Sequence, residues 1–359
     1  MDVSIGTKIE AELVSHTGDQ VTLKTKAGRT LQVPINKLSK ADQEFIAAKS
    51  SPQEPAKGGV PVNSNLKYEI KGDAVTITDC DEKASGALII PAAIEGKPVT
   101  SIGRRAYARC RRLTGVTIPD SVTSIGIQAF SSCDRLTSIT IGNGVTSIGE
   151  SAFYKCTSLP SITIPHSVTS IGYSPFYACT SLTTIEVGAG NVNYTEINGV
   201  LFNREKTVLH TYPAGKTGDN YNIPDSVISI GVMAFQACSN LTSITIPDGV
   251  TSIGDYAFLH CTRLTSITIP DSVTSIRKKA FDQCRSLTGI TIPDSVTSIE
   301  MEVFVACGSL TAVTFLGDAP KAGREVFKYA HPTIYRKAEA KGWGDTFAGR
   351  PVKLISEKP

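Results

Sequence analysis

Apolar residues return along this chain on a fixed beat. Ile102, Ile125, Ile148 and Ile171 are 23 residues apart, and after one longer interval Ile230, Ile253, Ile276 and Ile299 resume the spacing. Each opens a phrase close to I-G-x-x-A-F-x-x-C-x-x-L-T-x-I-T-I-P-x-S-V-T-S. Within it, Leu136-Thr137-Ser138-Ile139-Thr140-Ile141 reads as a half-buried strand, with Leu136, Ile139 and Ile141 inward and Ser138 and Thr140 outward. One such unit cannot bury its own apolar face, and stacking of successive units closes the core. The pattern predicts a mainly β solenoid of about ten rungs.

The beat fails at both ends and once in the middle. Before it, Ile9–Val14, Val21–Lys26 and Thr30–Val33 alternate as short strands, with turns at Gly18-Asp19 and Ala27-Gly28. Ser39 follows as a helix N-cap, and together these predict a small β-barrel over residues 1–49. Residues 50–65, rich in Pro, Gly, Ser and Lys, read as a flexible linker, and 66–101 as an N-terminal cap. The solenoid proper is expected over 102–315 and a C-terminal cap, with the lone Trp343 packed in it, over 316–359. Ile171 and Ile230 are 59 residues apart, so one rung is expanded by an insert near 188–222. Gly199–Phe202 and Thr207–Tyr212 are expected to form a hairpin there, projecting Phe202 and Tyr212 as contacts.

Cysteines keep the same beat, at Cys110, Cys133, Cys156, Cys179, Cys238, Cys261, Cys284 and Cys307. One cysteine per repeat at one place predicts a column of free, buried thiols acting as small hydrophobes, rather than disulfides. Metal binding would need two ligands within a few residues, as in C-x-x-C, and the chain has no such pair. No cofactor is expected.

A net charge of +3 gives no strong pull toward nucleic acid. No apolar run approaches the ~20 residues of a membrane helix. Met1–Thr17 has neither the basic start nor the apolar stretch of a signal peptide. Catalytic patterns are equally scarce. Ala214-Gly215-Lys216-Thr217 ends like a phosphate-binding loop, but His210 stands where its first Gly is required, so a simple turn is expected. The five histidines are scattered, and Asp120, Asp225, Asp248, Asp271 and Asp294 follow Pro, where they suit a turn. An enzyme is not expected.

Three features suit binding. Thr117, Thr140, Thr163, Thr245, Thr268, Thr291 and Thr314, interrupted by Glu186, form a row along one strand face. Arg104 and Arg105 head a basic cluster with Arg109, Arg111 and Arg112. The insert is the third.

The strand L-x-x-I-x-I within P-x-S-V-T-S-I-G-x-x-A-F resembles the BspA-like, treponemal-type leucine-rich repeats, as do the insert G-V-L-F-N-R-E-K-T-V-L-H-T-Y-P-A-G-K-T-G and the ending F-L-G-D-A-P to G-W-G-D-T-F-A-G-R-P. That resemblance implies a curved horseshoe, with the Thr row on its concave face, in a bacterial surface or exported protein of adhesive type. Separately, T-K-I-E-A-E-L-V-S-H-T-G-D-Q-V-T-L-K-T-K-A-G-R-T-L-Q-V-P-I-N-K-L-S-K-A-D-Q-E-F-I resembles the Sla homology domain, which implies an SH3-like barrel. In an endocytic adaptor that family binds N-P-F-x-D peptides. The expectation is a monomeric, non-catalytic binder of another protein or glycan, exported or on the cell surface. The alternative is a cytoplasmic scaffold whose N-terminal module recruits peptides.

Overall fold

The computed structural model describes residues 2–3, 7–8, 11–17, 20–25, 30–34, 37–38 and 66–358. The chain divides into two compact units, Met1–Pro61 and Val62–Pro359. In the first, Ala11–Thr17, Gln20–Thr25 and Thr30–Pro34 form an antiparallel meander in which Leu13, Leu23 and Leu31 lie in one register. Asp2–Val3 pairs separately with Thr7–Lys8. The Ser39 helix start and the 50–65 linker lie outside the described residues.

The second unit is a β-solenoid of about 11 turns, one more than the repeat count predicts. Each regular rung contributes two parallel strands. A short Ser-Ile strand pairs with its copy 23 residues on, as Ser124–Ile125 does with Ser147–Ile148. A longer strand does the same on another side, as Ser243–Thr245 does with Ser266–Thr268. The phrase therefore repeats because each residue lies against its own copy in the next rung.

Between the two strands the backbone runs through overlapping turns. In the first regular rung, the N–H groups of Ala106, Ala108 and Cys110 donate within the rung, to the carbonyls of Gly103, Arg105 and Tyr107. The alternate N–H groups, of Arg105, Tyr107 and Arg109, donate to Ile127, Ala129 and Ser131 of the next rung at 3.0, 2.7 and 2.7 Å. This alternation satisfies every one of these amides in a stretch that is neither helix nor sheet. It also requires a left-handed residue twice per rung, such as Arg105 (φ 59°) and Arg109 (φ 64°).

Glycine after the Ile allows the rungs to close. A Cβ at Gly149 would lie 2.7 Å from the Gly126 carbonyl carbon and 2.7 Å from the Ile127 nitrogen. Both are backbone atoms, which cannot swing aside.

Aromatic rings stack inside this shell. Tyr107, Phe130, Phe153 and Phe176 form one column, with centroids 5.1–5.7 Å apart and planes within 13°. A second column runs through Phe235, Phe258, Phe281, Phe304 and Phe327 at 5.1–5.6 Å. Such pairs contribute ~0.5–1.5 kcal/mol each beyond area burial. All nine cysteines are free and buried, the eight on the beat as the spacing predicts and Cys80 with them. Seven of the thiols also donate to the carbonyl of an aromatic residue one rung earlier, as Cys156 does to Phe130 (3.2 Å) and Cys261 to Phe235 (3.0 Å), while Cys80 and Cys110 donate to the Asp81 carbonyl. Burial pushes the Cys261 and Cys307 thiols up to about 12. Where the sequence suggests small hydrophobes, the structure shows small hydrophobes that also donate.

The insert corrects the projecting hairpin. Tyr194–Ile197, Val200–Asn203 and Val208–Thr211 form a three-stranded meander, with Asn198-Gly199 (φ 52° and 79°) as a two-residue hairpin loop. Val208–Thr211 then pairs in parallel with Ser229–Ile230, taking the place of a Ser-Ile strand. Phe202 is 0% exposed and Tyr212 4%, so neither is a surface contact. The meander replaces a rung, and its side chains must fill the volume a rung would fill. Leu201 enters the apolar core before the insert, while Val200 and Phe202 enter the core after it. Tyr212 heads the second aromatic column, 5.3 Å from Phe235.

His210 stands in this joint, edge-on to Tyr194, where a regular rung carries the Gly. Burial lowers its pKa from the ordinary 6.5 to about 4, against a smaller opposite effect of the Ile171 carbonyl. At the far end, Thr333–Arg336 and Arg350–Leu354 extend the long-strand sheet. Trp343 packs there at 5.0 Å from Phe315 and 5.1 Å from Phe347, with its indole N–H donating to the Gly317 carbonyl (3.3 Å).

Three outcomes follow from this packing. Gly149→Ala is expected to destabilise by about 1–3 kcal/mol, read from denaturant unfolding, because backbone meets the new methyl. An aromatic disulfide reagent at pH 8 is expected to label none of the eight ladder thiols in native protein and all of them after unfolding. For His210, the folded state binds the proton less readily than the unfolded chain. Its contribution is therefore complete above about pH 6.5 and lost as pH falls toward about 4. His210→Gln is expected to narrow the difference in melting temperature between pH 7.5 and pH 4.5.

Candidate functional site

The long-strand face is built by the L-x-x-I-x-I alternation. Leu264, Ile267 and Ile269 are buried, and Ser266 and Thr268, which alternate with them, stand outward. Register turns these into columns. Asn222, Thr245, Thr268, Thr291 and Thr314 are successive partners, Thr117 is opposite Thr140, and Thr163 is opposite Glu186. Thr117, Thr140, Thr163, Thr245, Thr268, Thr291 and Glu186 are all exposed. The Thr163 hydroxyl donates to the Glu186 carboxylate at 3.0 Å.

Thr314 departs from the row. It is 7% exposed, and the Lys358 ammonium donates to its hydroxyl at 3.3 Å while lying 5.7 Å from the Tyr335 ring. The C-terminal segment covers the last rung, so the accessible row ends at Thr291. Asn222 joins the row unannounced, because its strand, Asn220–Asn222, lacks the Ser-Ile-Thr phrase. A second threonine column has a backbone role. Both the N–H and the hydroxyl of Thr137 donate to the Thr114 carbonyl, each at 2.9 Å, and Thr242, Thr265 and Thr311 repeat the device.

Arg104 and Arg105 are exposed on the turns, away from the threonine strands. The Arg105 Nε donates to the Gln128 side chain at 2.6 Å. Two open clefts lie along the turns. One, of about 690 Å³, is lined by Asp81, Glu82, Lys83, Arg109, Arg111 and Arg112. The other, of about 510 Å³, includes Asp255, Lys278, Glu300, Met301 and Arg324. There, Arg277 and Glu300 replace the ladder glycine, and Arg277 pairs with Asp255 at 3.1 Å. At the joint is a small, partly open cavity of about 20 Å³, bordered by Ser174, Phe176, Tyr212, Met233 and Gln236.

The features that sequence reading set aside take structural places. Pro213–Lys216 is a turn in which the Lys216 N–H donates to the Pro213 carbonyl (3.1 Å) and its ammonium to the Asn198 carbonyl (2.6 Å). Pro247 and Pro270 open turns closed by the N–H groups of Val250 and Val273, the setting of the Asp residues after Pro. Asp282 is a buried carboxyl whose pKa is raised by burial, against Lys279 at 3.8 Å. Among the described residues, no group of three His, Cys, Asp or Glu side chains converges as a metal site. No described helix is long and apolar enough to cross a membrane.

This architecture has relatives among solved structures. The pneumococcal vaccine antigen PcpA superposes with a TM-score of 0.63 at 22% identity, over 77% of this chain and 87% of that one. A leucine-rich-repeat protein from Eubacterium ventriosum gives a TM-score of 0.50 at 24% identity, over 75% and 94%. Both show a shared fold. Among curated protein sequences, none matches the chain. The model of the BspA type leucine rich repeat region matches residues 100–218 and 214–333, in six copies. Those stretches span the rungs whose register and glycine ladder are described above, and the chain belongs to the BspA-type leucine-rich-repeat family.

Proposed function

We propose that this protein is a non-catalytic recognition protein of adhesive type, which binds another protein or a glycan through the long-strand face of its solenoid. The observation that carries the reading is the in-register exposed row on that face, running through Asn222, Thr245, Thr268 and Thr291. Such a surface offers many shallow hydrogen-bonding contacts spread over successive rungs, which suits an extended partner better than a small substrate. The pneumococcal relative is a vaccine antigen, and the surface location that the repeat resemblance implies is taken for this chain as part of the proposal. Residues 1–49 enter as an SH3-like module, supported by the resemblance of their sequence to the Sla homology domain and by the meander of Ala11–Pro34.

Two experiments test this. Protease applied to intact producer cells is expected to remove the protein; protection, with recovery in the cytoplasm, would favour a scaffold inside the cell. The full chain is then screened against immobilised matrix glycoproteins and glycans. Thr245→Arg/Thr268→Arg is expected to keep the melting temperature and to weaken the hits by about tenfold or more, since two bulky cations would break the row. Unchanged binding would remove the strand face from the function.

A further inference from the structure

The strand faces repeat almost unchanged from rung to rung, whereas the turns do not. Residues two, three, six and seven places after the rung-opening Ile differ in nearly every repeat: Arg104, Arg105, Ala108 and Arg109 in the first, Glu150, Ser151, Tyr154 and Lys155 in the third. The residues three and seven places after that Ile have left-handed backbone in every regular rung, from Arg105 and Arg109 to Glu302 and Ala306. Such a conformation costs ~1–2 kcal/mol for a residue with a Cβ and nothing comparable for glycine. None of these turn positions carries glycine or asparagine. Side chains are retained there against the backbone's preference, and large polar ones are frequent.

Charge divides this ridge. In the turns of the first four rungs (103–112, 126–137, 149–160 and 172–183) there are seven basic residues and two acidic ones, Asp134 and Glu150. Asp134 is paired with Arg111 at 3.4 Å. Among the described residues, Arg104, Arg109 and Arg112 have no ion-pair partner. Further along, the ridge neutralises itself: Arg277 with Asp255 (3.1 Å), Lys279 with Glu302 (3.6 Å) and Lys328 with Glu325 (3.0 Å). The next four turns (231–242, 254–265, 277–288 and 300–311) hold five basic and four acidic residues, so most of the basic excess lies at one end.

Two to three rungs from these arginines, ~10–15 Å along the axis at strand spacing, two tyrosines form a half-buried platform. The Tyr154 and Tyr177 rings are 5.3 Å apart and tilted by 45°. The Tyr177 hydroxyl is within hydrogen-bond reach of His260 Nδ1 (3.1 Å), and Lys155 lies 5.3 Å from the Tyr154 ring.

We propose that the turn ridge of the first four rungs binds a linear acidic glycan, carboxylated or sulfated, laid along the solenoid axis. Its anionic groups would meet Arg104, Arg105, Arg109 and Arg112, and its sugar rings would lie against Tyr154 and Tyr177. The guanidinium fork matches the geometry of carboxylate and other oxyanions, and the open cleft where Arg109, Arg111, Arg112 and Lys83 outnumber Asp81 and Glu82 admits a hydrated polymer. An acidic protein partner fits less well. Protein interfaces concentrate their energy in pockets that desolvate large side chains, whereas the cavity bordering Tyr177 has room for only about 20 Å³ and the cleft beside the arginines is open and lined by charged side chains. The threonine face takes no part, so this surface and the proposed strand-face site stand or fall separately.

The test is titration of the full chain with heparin-derived and hyaluronan decasaccharides at low salt, with poly-L-glutamate and neutral dextran as comparators. Arg105→Gly/Arg109→Gly is the informative variant, because glycine relieves the left-handed backbone at both positions. It is expected to keep or raise the melting temperature while weakening binding to the acidic oligosaccharide by about tenfold or more. Tyr154→Ala/Tyr177→Ala is expected to weaken it by at least about threefold. Thr245→Arg/Thr268→Arg is expected to leave it unweakened. Absence of binding by both oligosaccharides would overturn the proposal. So would poly-L-glutamate binding as tightly as the glycans with the tyrosine variant unaffected, which would mark a generic electrostatic surface. Full retention of affinity in the glycine variant would remove the ridge from recognition.

Discussion

The structure depends on one constraint: each rung must lie against a copy of itself at β-strand spacing. At Gly149 the separation is so small that even a methyl group would meet the backbone of the preceding rung. Every residue is then a neighbour of its counterpart 23 positions away, and each rung position admits a residue only if it tolerates its own kind. Flat aromatic rings satisfy that rule by offset stacking. Thiols satisfy it by donating to a carbonyl of the preceding rung, as Cys133 does to Tyr107. Serine hydroxyls bond one another, as Ser101 and Ser124 do at 2.8 Å. Buried charge would fail it, since like charges would be stacked without solvent.

The same rule explains where the chain is free to vary. Inside, a change in one rung disturbs two neighbours. On the turns, alternating bonds within and between rungs hold the backbone, and the side chains two, three, six and seven places after the rung-opening Ile lie outside the aromatic and thiol columns, most of them at least partly exposed. There the chain carries arginine, tyrosine, lysine and glutamate in succession. The long-strand face is constrained in a different way, because threonine suits a pleated, half-buried surface whatever it touches. Its regularity is therefore compatible with recognition without requiring it, while the irregular ridge records differences among the repeats that packing did not impose.

The insert shows how a solenoid tolerates interruption. An extra stretch that merely looped out would leave two open core ends. Instead Leu201 and Phe202, adjacent in sequence, fill the cores on either side, and His210 occupies the place of a ladder glycine. The joint is thus packed by residues that have no counterpart in the regular phrase, with a titratable group among them.

From sequence alone, the period, the rung strands and the thiol column were all legible, because repetition multiplies a weak local signal until only stacking explains it. The outward threonine row was legible for the same reason, as period two along a strand sends alternate residues outward. Tertiary structure decided the rest. Phe202 and Tyr212 looked like contacts because aromatic residues in a non-repeating loop carry no burial signal; they are core because the insert must replace a rung. Thr314 repeats the exposed pattern in full, yet it is covered by Lys358, a residue 44 positions away whose approach no local pattern encodes. The left-handed turns were hidden as well, since the register of hydrogen bonds between rungs imposes them on residues of every kind, from Arg105 to Tyr256.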